Sequence, residues 1–229
     1  MTHPGLGGCP HVFVTDLDAP ELDPDDDHHL ARVLRVRAGD PITISDGQGR
    51  WRPARFAAAP EPVGDVVEVP APASPVAVAF AVVKGGRPEL IVQKLTEIGV
   101  DRIVGYTAER SVVRWDADRA ARHHERWLRI VREASMQSRR CRLPTVEPVS
   151  AFADLAREPG ARRCEPGAPL VCEAVPLLVI GPEGGFSASE RALLPAEPVG
   201  LGPNVLRTET AAMVAAALAV ARREGGVGG

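Results

Sequence analysis

The chain has 229 residues, of which 45% are hydrophobic and 25% are charged, and its formal net charge at pH 7 is -3. This composition is typical of an ordinary soluble globular protein with one large or two small domains. A net charge of this size does not by itself indicate a nucleic-acid-binding protein. The apolar runs are far shorter than the roughly 20 residues that a membrane span needs, which excludes a membrane partner.

The cysteines and the first residues bear on location and on metal binding. The N-terminal residues show no basic segment followed by an apolar one, so no signal peptide is expected and the cytoplasm is predicted. The four cysteines form no CxxC pair, which argues against a zinc site or a disulfide scaffold; they are Cys9, Cys141, Cys164 and Cys172. No other spacing of His, Cys or acidic residues indicates a metal ligand set, so no metal is predicted.

Short strand signals with tight turns occupy residues 1–70. Strands are predicted over residues 11–14, 42–45, 51–58 and 63–69, together with a short helix over 28–36 whose leucines face inward. The sequence DGQG at residues 46–49 predicts a hairpin turn. These signals predict a small β-barrel, and the proline-rich residues 70–75 are interpreted as a linker.

Residues 76–229 alternate between strand and helix signals. Strands are predicted over residues 76–83 and 102–106, and helices over 90–98, 118–138 and 150–157. Gly99 ends the first of these helices and Ser150 caps the third. This alternation predicts an α/β domain with a mainly parallel sheet.

Arginine dominates the charge between residues 119 and 142. Eight arginines lie there, namely Arg119, Arg122, Arg126, Arg129, Arg132, Arg139, Arg140 and Arg142. Such a stretch can mark a surface that contacts phosphate, or it can be a solvated arginine-rich helix. Charge alone leaves both interpretations open.

Two glycine-containing stretches near the C-terminus indicate a ligand site. The first, LVIGPEGGFSASE at residues 178–190, predicts a buried strand, a glycine loop, and a helix whose capping box joins Ser187 and Glu190. The second, LGPNVLRTETA at residues 201–211, ends a short strand, turns, and enters a helix over 211–221 that Thr208 can cap. A small polar ligand is expected at this carboxyl end of the sheet. Neither stretch is a Walker loop or a GxGxxG dinucleotide motif.

Several blocks of the chain, in order, resemble the RsmE family of 16S rRNA methyltransferases, which belong to the SPOUT, or trefoil-knotted, class. The blocks are HHLARVLRVRAGD with DGQG, KGGRPELIVQKLTEIGVDRI, ERSVVRW, REASMQSRRCRLP, IGPEGGFSASE and LGPNVLRTETA. The resemblance implies an N-terminal PUA-like RNA-binding barrel over residues 1–70 and a SPOUT domain over residues 76–229. It also implies S-adenosylmethionine as cofactor, a homodimer in which two subunits complete each site, and N3-methyluridine in 16S rRNA of the small ribosomal subunit as product.

The resemblance also assigns candidate site residues. The cofactor would be lined by Ile180, Gly181, Glu183, Gly184, Gly185, Leu201, Gly202, Val205, Leu206 and Arg207. Because the uracil imide must lose its proton before methylation, an arginine that stabilises the anion and an assisting carboxylate are expected among Arg207, Arg140 and Glu209. RNA contacts are expected at His28, His29, Arg35, Arg132, Gln137, Arg139 and Arg140.

One region departs from the pattern of the family, in which a strand ending in glutamate is followed by a helix before the GPEGG strand. Here LVCE, ending at Glu173, is separated from LLVI by three residues, too few for a parallel crossover. Either a strand has been lost or the segment is one bent strand. Two alternatives therefore remain: another SPOUT-type RNA methyltransferase acting on a ribose 2′-hydroxyl or another base, and a catalytically impaired RNA-binding protein.

Overall fold

The computed structural model describes residues 8–111, 113–170 and 175–225. The chain divides into two compact units. The first unit contains Met1–Pro72 and Arg132–Leu143, and the second contains Ala73–Val131 and Pro144–Gly229. The break at Pro72 falls inside the predicted linker. The assignment of Arg132–Leu143 to the first unit is a difference from the predicted boundaries, which placed these residues in the C-terminal domain.

The first unit is built on a five-stranded mixed sheet. Its elements are β1 His11–Phe13, α1 Pro24–His28, a π-helical turn His29–Val33, β2 Pro41–Ser45, β3 Arg50–Arg55, β4 Glu61–Pro62 and β5 Val67–Glu68. The strand order is β1-β2-β3-β4, with β5 also pairing with β3, and only the β1–β2 pair is parallel. The predicted DGQG hairpin turn is confirmed, because it joins the antiparallel strands β2 and β3.

The helix of the first unit begins earlier than the sequence predicted. The Asp23 carboxylate accepts a hydrogen bond from the Asp25 N–H, and Pro24 occupies the first helical turn, so these residues start the helix. Leu30 is buried in the core beside Ile42 and Ile44, but Leu34 is 50% exposed. The prediction that the leucines of residues 28–36 face inward is therefore wrong for Leu34.

The second unit is an α/β unit with a parallel sheet. Its elements are β6 Ala77–Ala81, α2 Arg87–Ile98, β7 Arg102–Thr107, α3 Ala117–Ser138, β8 Thr145–Ala151, α4 Phe152–Leu155, β9 Ala161–Cys164, β10 Leu177–Ile180, α5 Ala188–Leu193 and α6 Thr208–Gly225. The last residues of α3, from Arg132, belong to the first unit. All four strand pairs in the order β8-β7-β6-β10-β9 are parallel, which confirms the predicted fold class.

Local signals explain why two long helices of this unit begin and end where they do. The Asp116 carboxylate accepts a hydrogen bond from the Arg119 N–H at 2.7 Å and starts α3. Gly99 ends α2 with φ of 110°, a left-handed conformation that costs glycine little. All five residues of β6 are buried, as expected for a strand covered on both faces.

The structure corrects the expectation of a lost or bent strand before β10. The parallel neighbour of β10 is β9, with Leu177 opposite Ala161 and Ile180 opposite Cys164. Residues 165–176 connect the two strands, and these 12 residues are enough for a parallel crossover. The glutamate that follows the strand is Glu165, whereas Cys172 and Glu173 lie outside the described residues. The sequence did not predict β9, because two of its four residues are arginines and the apolar pattern of a buried strand is missing.

A second correction concerns the helix predicted over residues 150–157. Ser150 lies in β8, and the helix that follows covers only Phe152–Leu155. Its N-cap residue is Ala151, which offers no side-chain hydrogen bond, so Ser150 does not cap it. In the described part of the chain, no helix is both long and apolar enough to cross a membrane.

Candidate functional site

A cleft lies at the carboxyl ends of β9 and β10 in the second unit. It is lined by residues that follow β9, by the loop after β10, and by the loop before α6. The segment Val199–Gly200 extends the sheet here, because Val199 bridges to Cys164 and Gly200 bridges to Leu170. Ligands of open parallel sheets bind at this edge, so the cleft is the candidate site.

The first loop of the cleft covers residues 181–187. The Gly185 N–H donates to the Pro182 carbonyl at 2.8 Å, and Gly185 adopts φ of 66°. Ser187 and Glu190 form the predicted capping box, which is thereby confirmed. A Cβ at Gly181 would lie 3.1 Å from the Phe186 ring, so the buried aromatic ring packs closely against glycine backbone.

The second loop, residues 201–206, presents backbone to the cleft. Gly202 adopts φ of 146°, and a Cβ there would have no atom within 4 Å, so nothing covers this backbone. The Thr208 hydroxyl donates to the Gly181 carbonyl at 3.1 Å. Thr208, the first residue of α6, therefore joins the two loops through its hydroxyl.

The third wall of the cleft follows β9 and was missed by the sequence interpretation. The Glu165 Oε1 atom accepts hydrogen bonds from Arg163 Nε at 2.9 Å and from Arg191 Nε at 3.1 Å. Glu165, Arg191 and Cys164 all line the cleft. Burial raises the pKa of the Cys164 thiol to about 12, so this thiol is neutral and is a poor nucleophile at physiological pH. The family pattern, in which a strand that ends in glutamate precedes the GPEGG strand, is the sequence signal that could have identified Glu165.

A network behind the cleft fixes the first loop. The buried Glu190 carboxylate accepts from the backbone N–H groups of Glu109 and Ser187, at 2.9 and 2.8 Å. The Ser187 hydroxyl donates to the Glu109 carboxylate at 2.6 Å, and this bond, with a second from Ser189, holds the pKa of Glu109 below its ordinary value. Arg110 Nη1 also donates to the Gly184 carbonyl at 3.1 Å. The loop is thus held by the segment that follows β7.

A buried tyrosine supports the same loop from below. The Tyr106 hydroxyl donates to the Ile180 carbonyl at 2.9 Å. Burial raises the pKa of Tyr106 well above its ordinary value, so the hydroxyl stays protonated and remains a donor. The carboxyl end of β10 is therefore fixed in position where the cleft begins.

Eight of the ten predicted cofactor residues line the cleft, and they are Ile180, Gly181, Glu183, Gly185, Leu201, Gly202, Val205 and Leu206. The two others do not line it. Gly184 faces Arg110, whose Cβ would lie 3.4 Å from a Cβ at this glycine. Arg207 has an exposed side chain.

The predicted catalytic residues lie in different parts of the chain. Glu209 is at the start of α6, with Oε1 3.9 Å from Arg87 Nε, and Arg87 also pairs with Glu183 at 3.0 Å. The Oε2 atom of Glu209 is buried and has no hydrogen-bond partner among the described residues. Arg140 belongs to the first unit, where its Nε donates to the Arg142 carbonyl at 3.3 Å.

The predicted RNA-binding residues all lie in the first unit and differ in their surroundings. His28, His29 and Arg35 are exposed, and Arg35 has φ of 55°. Arg132 is engaged within the unit, because it pairs with Asp26 and its guanidinium lies 5.3 Å from the centre of the Phe13 ring. Burial raises the pKa of Asp26 although Arg132 acts against this shift.

Besides Arg140, two predicted RNA contacts remain, one near the end of α3 and one directly after it. Gln137 is exposed. Arg139 is half-buried in the left-handed conformation, with φ of 58°. Over the described ranges, no group of three His, Cys, Asp or Glu side chains could hold a metal ion.

Family models match both parts of the chain. A model described as an RNA methyltransferase domain matches residues 70–220, and one described as an RNA methyltransferase PUA domain matches residues 22–61. The "Ribosomal RNA small subunit methyltransferase E" of Mycobacterium bovis is 36% identical over 219 residues, covering 85% of this chain and 83% of its own. The protein of the same name from Bacillus subtilis is 32% identical, with coverage of 82% and 84%.

Solved structures agree with the sequence relatives. A methyltransferase from Legionella pneumophila, solved with bound S-adenosylmethionine, superposes with a TM-score of 0.80 at 28% identity, covering 93% of this chain and 97% of that one. A ribosomal RNA small subunit methyltransferase E from Neisseria gonorrhoeae, also bound to S-adenosylmethionine, has a TM-score of 0.78 at 27% identity, with coverage of 92% and 96%.

Proposed function

The chain belongs to the RsmE family of SPOUT-class RNA methyltransferases, and from this premise we propose that it methylates N3 of a uridine in 16S rRNA with S-adenosylmethionine. The observation that carries the proposal is the cleft at the carboxyl ends of β9 and β10. Two glycine-containing loops line this cleft, and the Thr208–Gly181 hydrogen bond joins them.

The lining of the cleft fits S-adenosylmethionine chemically. Gly185 and Gly202 leave open space where a side chain would lie, which lets adenine and ribose approach the loop backbone, and Leu201 and Leu206 supply apolar contacts. The carboxylates of Glu165 and Glu183 also line the cleft, and because each already pairs with arginine side chains, they offer hydrogen-bond acceptors to the cofactor instead of unpaired negative charge. We propose that these residues hold the cofactor.

The reaction requires that the uracil N3 lose its proton. Bound S-adenosylmethionine supplies an electrophilic methyl group, so the protein must align the base and promote deprotonation. We propose that the Glu209 carboxylate takes this proton; Glu209 lies at the start of α6 next to the cleft-lining Thr208, and its Oε2 has no hydrogen-bond partner among the described residues. Arg207, an exposed guanidinium two residues earlier, would stabilise the uracil anion, and Arg140 is the second candidate for this role.

The proposed substrate and assembly are those that the resemblance to the family implies. We propose that His28, His29, Arg35, Arg132, Gln137, Arg139 and Arg140 in the first unit contact RNA. The protein is proposed to be a homodimer in which the alanine-rich α6 contributes to the interface, and to act on an assembled or nearly assembled small subunit. A shaped RNA surface suits a two-fold protein better than a short strand does.

Methyl transfer to small subunits that lack the modification tests the proposal. Purified protein and S-adenosylmethionine are incubated with these subunits, and the digested nucleosides are identified by mass spectrometry. N3-methyluridine is the expected product. A different methylated nucleoside would move the function to another SPOUT-type reaction, and equal activity on a short naked oligonucleotide would contradict the assembled-subunit substrate.

Cofactor binding is tested separately by calorimetry with a matched pair of variants. Thr208→Val removes the hydroxyl that joins the two loops, and we expect it to weaken S-adenosylmethionine binding at least tenfold. Thr210→Val makes the same chemical change at an exposed position two residues later and should leave binding unchanged. Equal affinity of both variants would show that the cleft does not hold the cofactor in this way.

A further inference from the structure

The structure divides the arginine-rich stretch of residues 119–142 into two parts. In the first unit, Arg132 pairs with Asp26, and Arg142 Nη2 donates to the Val69 carbonyl at 3.1 Å. Four arginines lie instead on the part of α3 that belongs to the second unit, and all are exposed; they are Arg119, Arg122, Arg126 and Arg129. We call these four residues the arginine face.

Helix geometry puts the four side chains on one side of α3. Their spacing of three, four and three residues, at 100° per residue, places them within an arc of about 80°. At 1.5 Å rise per residue they span about 15 Å along the helix axis. The other side of the helix is buried, with Trp127 and Val131 at 0% and 2% exposure. The arginine face is therefore the outer surface of a packed helix.

Few direct ion pairs neutralise the positive charge of this face. Within the part of the chain that the structure describes, Arg126 is the member with an acidic partner, Glu89, at 3.7 Å between Nε and Oε1. On the same helix, Asp118 and Glu125 lie on an adjacent arc and Glu133 lies on the arc itself, one turn beyond Arg129, and in the described structure none of the three forms an ion pair with the face. Four guanidinium groups thus meet solvent together on a protein of net charge -3.

Aromatic rings hold the N-terminal end of the face. The rings of Trp115 and His123 stack with centroids 3.8 Å apart and planes 4° apart. The Arg119 guanidinium lies 5.9 Å from the centre of the Trp115 ring. This cation–π interaction limits the motion of Arg119 and reduces the entropic cost of ordering the side chain when a ligand binds.

We propose that the arginine face is an RNA-docking surface that binds phosphate groups of the substrate RNA outside the methyl-transfer cleft. The proposal rests on the proposed rRNA substrate and extends it to the second unit. Guanidinium groups bind phosphate oxygens in a bidentate fashion, and a row of them suits a polyanion. A protein partner is disfavoured, because the arc offers four charged side chains and no apolar centre.

The first test is RNA binding measured without cofactor. The quadruple variant Arg119→Gln/Arg122→Gln/Arg126→Gln/Arg129→Gln and the wild-type protein are titrated with unmodified small subunits over a range of salt concentrations. We expect binding at least tenfold weaker for the variant at physiological salt. The slope of log K against log salt should fall by about 0.7 to 0.9 for each phosphate group that the variant no longer binds.

Two control variants separate a specific surface from general charge. Asp118→Asn/Glu125→Gln changes acidic residues on the same helix and should bind RNA as tightly as wild type or more tightly. Arg157→Gln removes an exposed arginine that pairs with Asp154 on α4 and should change nothing. Circular dichroism and the affinity for S-adenosylmethionine, both expected to match wild type, confirm that the quadruple variant is folded.

Three results would overturn the proposal. One is an unchanged salt slope and affinity in the folded quadruple variant. Another is equal weakening by Arg157→Gln, which would mean that only net charge matters. The third is a change of oligomeric state on sedimentation, which would make the face a protein interface. If the variants differ from wild type in RNA binding as expected, but the wild-type protein forms no N3-methyluridine, the proposed reaction is refuted and the docking surface is supported.

Discussion

At the scale of single residues, two carboxylates differ in their surroundings: Glu165 lines the cleft, whereas Glu209 lies at the start of α6 and does not line it. Glu165 is held by two arginines, whereas Glu209 has one distant arginine and, in the described structure, a buried oxygen atom without a partner. A buried acceptor of this kind is costly in the free protein and is satisfied when a ligand donates to it. The two carboxylates are therefore expected to serve different steps, Glu165 in binding and Glu209 in proton transfer.

The variant Glu209→Gln tests this assignment. The change keeps the size of the side chain but removes its ability to accept a proton, so we expect kcat to fall by about 10² to 10⁴-fold. The dissociation constant for S-adenosylmethionine should change less than threefold. Single-turnover methyl transfer and calorimetry measure the two quantities.

A matched control for this variant lies on the same helix. Glu224→Gln alters an exposed carboxylate near the end of α6, which pairs with Arg223, and its kcat should equal that of wild type. If Glu209→Gln also kept the wild-type kcat, Glu209 would not be the proton acceptor.

Cys164 gives a prediction about pH. Burial disfavours the charged thiolate and raises its pKa to about 12, so at pH 8 the folded protein presents a thiol that hardly reacts. Cys164 and Cys9 are both partly exposed, so the disfavoured thiolate should make iodoacetamide label Cys164 at least tenfold more slowly than Cys9, as read by peptide mass spectrometry. In urea the two rates should become similar, and equal rates in the folded protein would contradict the prediction.

The sign of the linked stability change follows from the same shift. The unfolded chain releases the thiol proton near the ordinary pKa of 9.0, and the folded chain releases it near 12. Below pH 9 both states hold the proton, so this thiol adds no pH dependence there. Stability falls as pH rises from about 9 to 12, because the unfolded state then binds fewer protons. Cys164→Ala should reduce this fall in alkaline unfolding curves.

At the scale of elements, the packing of α3 on the sheet depends on a glycine in β7. A Cβ at Gly105 would lie 2.5 Å from the Trp127 ring, and both residues are buried. The Trp127 ring also packs against Phe80 of β6, with centroids 5.6 Å apart. The large indole can lie this close to the sheet because the strand beneath it has no side chain at this position.

Gly105→Ala should therefore destabilise the protein. Overpacking against a ring that cannot move costs about 1 to 3 kcal/mol, and the urea midpoint should fall accordingly. Gly86→Ala, at the start of α2, is the matched control, because no atom lies within 4 Å of a Cβ there and φ is -81°. Equal midpoints for the two variants would mean that the sheet and α3 adjust without cost.

At the scale of the whole molecule, the first unit is assembled from two distant segments. The Cys141 carbonyl accepts hydrogen bonds from the Ser45 hydroxyl at 3.0 Å and from the Gly49 N–H at 2.9 Å. The Leu143 N–H donates to the Gly47 carbonyl at 2.9 Å. The hairpin turn between β2 and β3 is thus completed by residues that follow α3.

A fragment of residues 1–72 should consequently fail to fold cooperatively. It lacks the segment that satisfies the turn and the Arg132 partner of the buried Asp26. The same fragment joined by a short linker to residues 132–143 should regain a cooperative urea transition and dispersed amide resonances. Cooperative unfolding of the 1–72 fragment alone, at the midpoint of the joined form, would contradict this dependence.

The sequence by itself determined the features that depend on neighbouring residues. Strand-to-helix alternation, the DGQG hairpin turn, the Gly99 helix end and the Ser187–Glu190 capping box were all predicted correctly, because each depends on a few adjacent side chains and their backbone preferences. The two glycine loops were likewise predicted to form a ligand site, since their motifs are contiguous in the chain.

The tertiary structure alone decided what depends on distant partners. β9 forms because Ala161–Cys164 pairs with β10, although two arginines hide its apolar pattern, and this pairing brings Glu165 to the cleft. The surroundings of the arginines also depend on the fold. Arg132 pairs with Asp26, whereas the arginine face is exposed to solvent. Burial and ion pairing are properties of packed surfaces, so the positions of arginines along the chain cannot show which of them are available to bind RNA.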